Sequence, residues 1–349
     1  MSNELNILTD QLEGFFQDRV THQTLMNAEA NGASTELWEE CEAMGVIHPS
    51  LPQSLGGAEL GVASERIVLE RAARAALPLP LAETMLAGWL LARSGYTPPS
   101  GPLSVAGLTR GANLELRDGR LFGIAPRTHW ARGASAIVVV VGSQLVLTSS
   151  KAASITEGVN LAGEPCDDLT YDGATPSWSG AIDLDPTAMM ARGAAMRASQ
   201  MAGAMSRVME LSLGYVNQRV QFGQPIGRFQ AVQHPLAVAA SHAAAARMAA
   251  IAAYDQLERL VDDAESFVFC AAMAKARASE AAGITAATAH QVHGAIGVTA
   301  EYHLHPFTKR LQDWRGDYGS EAWWQQYIGE RVLRRGADEL WPSITELTA

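Results

Sequence analysis

The stretch Arg219–Ala237 reads RVQFGQPIGRFQAVQHPLA and decides how the chain is divided. It interrupts a long Ala-rich region with Phe222-Gly223, Pro225 and Gly227, residues that end helices and shape turns. The spacing therefore predicts a loop joining two long helices. That loop is rich in binding chemistry: Arg219 and Gln221 offer directed N–H donors to an anion, and Phe222 offers a flat ring beside them. Guanidinium with an aromatic face suits a phosphate-bearing aromatic cofactor. The plainer alternative is that Arg219 and Phe222 only cap and staple the two helices.

Working outward, the region from Met189 onward is dominated by Ala, Met and Leu with few Pro, as closely packed helices require. Helices are predicted at Ala191–Asn217, Phe229–Val261 and Glu265–Gln291, followed by one or two shorter ones ending near Gly336. Together they form a four-helix bundle from residue 186 to 349. Upstream, from Gly101 to Asp185, β-branched and apolar segments recur between Gly and polar residues. Ser104–Leu108, Leu121–Ile124, Ala136–Val141 and Leu145–Thr148 read as strands, and Asn113–Asp118 leads into an Asp118-Gly119 hairpin turn. Residues 1–100 read as helices at Glu4–Asp18, Thr35–Met44, Ser64–Arg74 and Ala82–Ser94. The Pro- and Gly-punctuated segment MGVIHPSLPQSLGGAELG lies between the second and third. The expected architecture is thus mainly α with a central β domain, in three parts: 1–100, 101–185 and 186–349.

Composition removes several function classes. With 26 Lys+Arg against 37 Asp+Glu, the net charge is −11, which offers no general footprint for nucleic acid or an anionic membrane surface. Cys41, Cys166 and Cys270 are far apart and odd in number, so a disulfide framework is not expected and a reducing compartment is. The start, MSNELNILTDQLEGFFQD, is acidic and amphipathic and does not read as a secretory signal. The Val-rich run Ala136–Val141 is much too short to span a bilayer. A cytoplasmic protein, bound to neither membrane nor nucleic acid, is the expectation.

The loop's residues also fit a known signature. Arg219, Phe222, Gly223, Ile226, Gln230, His234 and Ala237 match R-x-x-F-G-x-x-I-x-x-x-Q-x-x-x-H-x-x-A, and this stretch resembles the acyl-CoA dehydrogenase family. A second match is QVHGAIGVTAEY, Gln291–Tyr302, in which Gln291, Gly294, Gly297, Glu301 and Tyr302 fit and Ala295 replaces a frequent Gly. Gly45, Pro52, Gly56 and Gly57 fit the family's N-terminal loop, with Gln53 in place of the usual acidic residue. Trp130-Ala131-Arg132-Gly133-Ala134 resembles the segment entering the strand beside the flavin. The resemblance implies an N-terminal helical domain, a middle β-barrel and a C-terminal four-helix bundle. It also implies FAD as cofactor and an acyl-CoA substrate. In this family the loop reaches across a dimer interface, so Arg219, Gln221 and Phe222, with Gln291 and Gly294, are the expected cofactor contacts. Without a Cβ, Gly294 lets a cofactor approach the backbone.

Two family features are missing. The segment T-E-x-x-x-G-S-D has no counterpart at Leu108-Thr109-Arg110-Gly111-Ala112-Asn113, and the β domain is short. The family's usual base, a carboxylate before Gly and Thr or Ser, falls at Tyr318 in Arg315-Gly316-Asp317-Tyr318-Gly319-Ser320. A phenol is a poor base at neutral pH, so Asp317, one residue away, is the candidate within this chain. The family's other base location falls near Gly193, where Arg192 stands instead of a carboxylate.

His290, His293, His303 and His305 lack a completing Cys or carboxylate cluster, so no metal is expected. The functional readings are then three. The chain is an acyl-CoA dehydrogenase acting alone or as a homo-oligomer through Asp317. Or it is the smaller, catalytically incomplete subunit of a hetero-oligomer acting on a bulky acyl-CoA such as a steroid side chain, completing a homologous partner's FAD site. Or it is a flavin monooxygenase or oxidase on the same fold.

Overall fold

The computed structural model describes residues 3–259, 263–299 and 301–348 of the chain. Its residues fall into two compact units. One comprises the chain up to His22, Leu69–Leu77 and everything from Ala194 onward; the other comprises Gln23–Val68 and Pro78–Gly193.

The second unit holds the helices α2 (His22–Asn31), α3 (Thr35–Ala43) and α5 (Leu81–Arg93) and eight strands. Helix α3 starts where the sequence places it, because the Ser34 hydroxyl accepts from Leu37 N at 3.2 Å and satisfies one of the free first-turn donors. Helix α2 is an addition to the predicted set; it buries only Leu25, so its sequence carries little apolar periodicity. Helix α5 is buried along almost its whole length, and the Thr84 hydroxyl exchanges hydrogen bonds with the Leu103 backbone at 3.0 and 3.2 Å. That bond welds α5 to β1 (Leu103–Ala106).

The remaining strands are β2 (Asn113–Arg117), β3 (Arg120–His129), β4 (Ala136–Val141), β5 (Gln144–Thr148), β6 (Ser154–Thr156), β7 (Cys166–Ala174) and β8 (Trp178–Ala181). The β part takes the form of two four-stranded sheets, ordered β1-β4-β5-β8 and β2-β3-β7-β6. The Val-rich run is β4, paired with β1 in parallel and β5 antiparallel; its consecutive residues Ile137, Val138, Val139 and Val140 are all buried, which explains why it is apolar on both faces. The predicted hairpin between β2 and β3 forms, with Asp118 and Gly119 both at positive φ. Sequence reading passed over β6, β7 and β8; β7 alternates buried and exposed residues, but its exposed positions are acidic or polar enough to hide the strand. Leu121, Ala125, Ile137, Val139, Val146, Leu169 and Tyr171 form the core these sheets share.

The first unit contains α1 (Asn3–Arg19) and the C-terminal helices. Helices α4 (Val62–Arg74) and α6 (Pro186–Gln218) enter it from Leu69 and Ala194 onward. There they approach so closely that a Cβ on Gly203 would stand 2.0 Å from the Glu70 carbonyl oxygen, so only Gly fits. Arg74 of α4 is ion-paired with Glu13 of α1 and Glu210 of α6. Two short strands, β9 (Val220–Gln221) and β10 (Gln224–Pro225), lead into α7 (Gln230–Leu257), which lies along α8 (Ala264–His293). The predicted end of α7 at Val261 lies outside the described residues. Helices α9 (His305–Trp314), α10 (Glu321–Arg335) and α11 (Leu340–Thr348) complete the chain, so the long C-terminal helices are α6, α7, α8 and α10.

Candidate active site

The loop between α6 and α7 is a β-hairpin. Arg219 N makes the last helical bond, to the Tyr215 carbonyl at 2.8 Å; the chain then reverses with Gln221 opposite Gln224 and Val220 opposite Pro225. Ile226 N closes the hairpin onto the Arg219 carbonyl at 2.8 Å. At the tip Phe222 and Gly223 have φ of 52° and 79°, the pair of positive values that a two-residue hairpin turn needs. Gly223 adopts this freely, whereas for Phe222 it is a strained conformation. The Phe222 side chain is 91% exposed, and Phe229 meets its ring edge-on at 6.1 Å between ring centres. Arg219 and Gln221 are exposed too, and among the described residues Arg219 has no carboxylate partner. Beneath them Met209, Val216, Leu236 and Ala239, flanked by Tyr215, Ile226, Val232, Ile284 and Val292, form a core that holds the hairpin's base.

Tyr215 joins the hairpin to the second sequence motif. Its ring stacks on His293 (4.5 Å, 26° between planes) and meets Tyr302 edge-on at 5.9 Å. His293 Nδ1–H donates to the Ala289 carbonyl at 2.8 Å, and burial lowers the pKa of both His293 and His290 from 6.5, favouring the neutral imidazoles. Helix α8 ends there, with Gly294 as its cap at φ 65°; the space a Cβ would enter at Gly294 is open, and Gln291 is exposed on the last turn. The four histidines of this region have separate local partners: His290 meets Thr308 at 3.0 Å, His303 packs edge-on against His22 at 4.9 Å, and His305 Nδ1–H donates to the Tyr302 carbonyl at 3.1 Å.

Asp317 stands in the connection between α9 and α10, away from solvent at 7% exposure. Its Oδ2 accepts from Arg197 Nε of α6 at 3.0 Å. Arg197 also donates to Gln200 Oε1 at 2.6 Å, and its guanidinium faces the rings of Trp314 and Tyr318 at 5.7 and 5.6 Å. Across the connection lies Lys275 of α8, fully buried, donating to the carbonyls of Arg315 and Gly319. Sequence reading named neither Arg197 nor Lys275. A signal existed: Lys275 has Ala271, Ala278, Ser279 and Ala282 as helical neighbours, and Arg197 has Gly193, Ala194 and Met201, so each cation sits on the face that small and apolar residues mark as buried.

In the β-bearing unit, the segment expected beside the flavin is committed to its own chain. Arg132 N and Nε donate to Asp167 Oδ2 at 3.0 and 3.2 Å, Nη1 donates to Glu157 at 2.6 Å, and Nη2 donates to the Gly158 carbonyl. Near Gly193 a carboxylate is present after all, contributed by α4: Glu65 pairs with the fully buried Arg192 and accepts from the Ser50 hydroxyl at 2.9 Å.

Comparison with known proteins agrees with this geometry. The family described as acyl-CoA dehydrogenase, C-terminal domain, matches residues 186–323, and acyl-CoA dehydrogenase, N-terminal domain, matches residues 2–97. The acyl-CoA dehydrogenase IpdE2 of Mycobacterium tuberculosis is 30% identical over 339 residues, covering 90% of each chain. Its namesake in Mycolicibacterium smegmatis is 28% identical, covering 89% of this chain and 93% of that protein. Among solved structures, the Tcur3481-Tcur3483 steroid ACAD G363A variant aligns with a TM-score of 0.85 and 24% identity, covering 95% of this chain and 98% of that one. The ChsE4-ChsE5 complex from Mycobacterium tuberculosis aligns at 0.86 with 21% identity, covering 96% and 98%.

Proposed function

The chain belongs to the acyl-CoA dehydrogenase family of oxidoreductases, and on that premise we propose that it completes an FAD site and an acyl-CoA site together with a second, homologous subunit. The observation that carries this reading is the hairpin. An aromatic side chain left in water on strained backbone, beside a guanidinium with no carboxylate partner among the described residues, is a poor arrangement for a chain that acts alone. It is well suited to meet a group presented from outside.

The residues fit FAD. Arg219 and Gln221 would supply donors for the pyrophosphate, Phe222 would supply a stacking face, and Gln291 with the open backbone at Gly294 would add further contacts. When bound, FAD supplies the acceptor for the hydrogen removed from the acyl β-carbon. Helix α7 supports the second subunit: it is long and apolar enough to cross a membrane by composition alone, yet only 28% of its most apolar stretch is buried, with Val238 and Met248 exposed. A homologous subunit packed on that face accounts for such a surface without any membrane.

We assign the carboxylate base to the partner, because Asp317 is already engaged by Arg197 and Tyr318 occupies the place where the base is expected. The substrate class we propose is a bulky acyl-CoA thioester such as a steroid side chain. Support comes from the likeness in fold to the Tcur3481-Tcur3483 steroid ACAD.

Native purification followed by mass spectrometry reads both FAD and any homologous subunit. Anaerobic bleaching of FAD by an acyl-CoA series then tests the chain alone and with that subunit. The expected result is an inactive isolated chain that gains activity on co-expression. Full bleaching by the isolated chain would remove the need for a partner and return the base to this chain.

A further inference from the structure

Lys275 has 0% exposure in the middle of α8. A buried ammonium is tolerated only when its donors are satisfied, and this one places all three. Nζ donates to Ser279 Oγ at 3.3 Å, to the Arg315 carbonyl at 2.9 Å and to the Gly319 carbonyl at 3.0 Å. Arg315 caps the C-terminus of α9, and Gly319 precedes Ser320, the N-cap of α10. Nζ therefore meets the C-terminal end of α9, which leaves carbonyls without helical donors. Burial lowers the Lys275 pKa from 10.5 to about 7, so it is the hydrogen bonds rather than a fixed charge that tie the connection.

The same connection is held from two other directions. Arg197 of α6 binds the Asp317 carboxylate at 3.0 Å, and Trp324 Nε1 of α10 donates to the Tyr318 carbonyl at 2.9 Å. Between Arg315 and Gly319, three carbonyls and the single carboxylate are thus taken up. Tyr318 itself has φ 49°, a left-handed conformation that is unfavourable for a non-glycine residue and persists only where the surroundings impose it.

We propose that Lys275 and Arg197 are positioning residues that clamp the Arg315–Gly319 connection in one conformation and so fix the direction in which Tyr318 is presented to the acyl site. The acyl-site part rests on the function proposed above; the clamp stands without it.

Hydrogen exchange on the full-length protein, together with any subunit that co-purifies, separates the two. Lys275→Met keeps an unbranched apolar stem that ends where Lys has Cε and donates nothing, whereas Lys275→Gln keeps two N–H donors for the two carbonyls. Exchange over residues 313–324 is expected to accelerate about tenfold or more in the Met variant and less in the Gln variant, while peptides from α1 and the Val220–Pro225 hairpin keep wild-type rates. Should the Met variant fail to fold, Arg197→Gln loosens the same connection from α6 and is expected to accelerate the same peptides. Wild-type exchange over 313–324 in a folded Lys275→Met or Arg197→Gln protein overturns the clamp, as does acceleration spread evenly along the chain. Acyl-CoA titration of the same variants reads the second part: weaker binding in Lys275→Met than in Lys275→Gln ties the clamp to the acyl site. Equal binding beside faster exchange breaks that tie while leaving the clamp in place.

Discussion

Arg197 and Asp317 lie 120 residues apart in the chain and meet as an ion pair at 3.0 Å, both shielded from solvent. A buried pair of this kind is costly to break, because removing one charge leaves the other without compensation. Asp317→Asn keeps a carbonyl acceptor for Arg197 Nε but removes the counter-charge. It is expected to lower stability by about 2 kcal/mol, read as a shift in the urea midpoint, with little effect on flavin reduction in the assembled enzyme. Abolished reduction at unchanged stability would instead identify Asp317 as the base.

Arg219 presents the opposite case. It is exposed and has no carboxylate partner among the described residues, so Arg219→Ala should leave the thermal midpoint of the chain unchanged. The FAD affinity of the assembled protein is expected to fall about tenfold or more, since a charge-assisted bond to a phosphate contributes about 1.5 to 3 kcal/mol. Equilibrium dialysis of the flavin decides it, and full retention in a correctly assembled variant would sink the assignment.

At the hairpin tip, backbone and side chain make separable contributions. Phe222 holds φ 52°, which Asn adopts more readily than Phe, and its ring buries almost nothing within the chain. Phe222→Asn should therefore leave the isolated chain as stable or raise stability by about 0.5 kcal/mol, while weakening FAD retention in the assembly. Chemical denaturation of the chain and flavin content of the assembly should move in different directions. A loss of chain stability above about 1 kcal/mol would mean that the ring serves the fold.

What could be read in the sequence follows from what each element needs locally. The β2–β3 hairpin, α3, α5, α6, α8 and β4 were legible because a cap, a turn pair or an uninterrupted apolar period belongs to their own residues, whereas the Val220–Pro225 hairpin reads only as a loop. Strands β6, β7 and β8 were not, since their pairing partners lie elsewhere in the chain and their own alternation is broken by acids and glycines. Arg219 and Gln291 could be singled out as candidate contacts because motif spacing is a local property. The fixation of Asp317 was hidden: it depends on Arg197 and Lys275, which reach the α9–α10 connection from 120 and about 40 residues upstream, and only the packed structure brings them together.

His48 gives the fold a dependence on pH whose sign is determined by its surroundings. The ring is packed against Gly88, where an added Cβ would fall 2.3 Å from Cε1, and its Nδ1 is buried with no hydrogen-bond partner among the described residues. Burial pulls its pKa from 6.5 to about 4, only partly opposed by the charges of Glu65 and Glu42. Because the folded value lies below the unfolded one, the unfolded chain takes up the proton first. The stabilisation is complete above about pH 6.5 and is lost as the pH falls towards 4, a change of about 3 kcal/mol. His48→Leu removes this titration and leaves the other histidines in place. Its stability should fall less steeply than wild type between about pH 6.5 and 4, whatever the variant's stability at neutral pH. Urea unfolding at a series of pH values measures both curves, and parallel curves for wild type and His48→Leu would show that His48 does not govern the acid sensitivity of this fold.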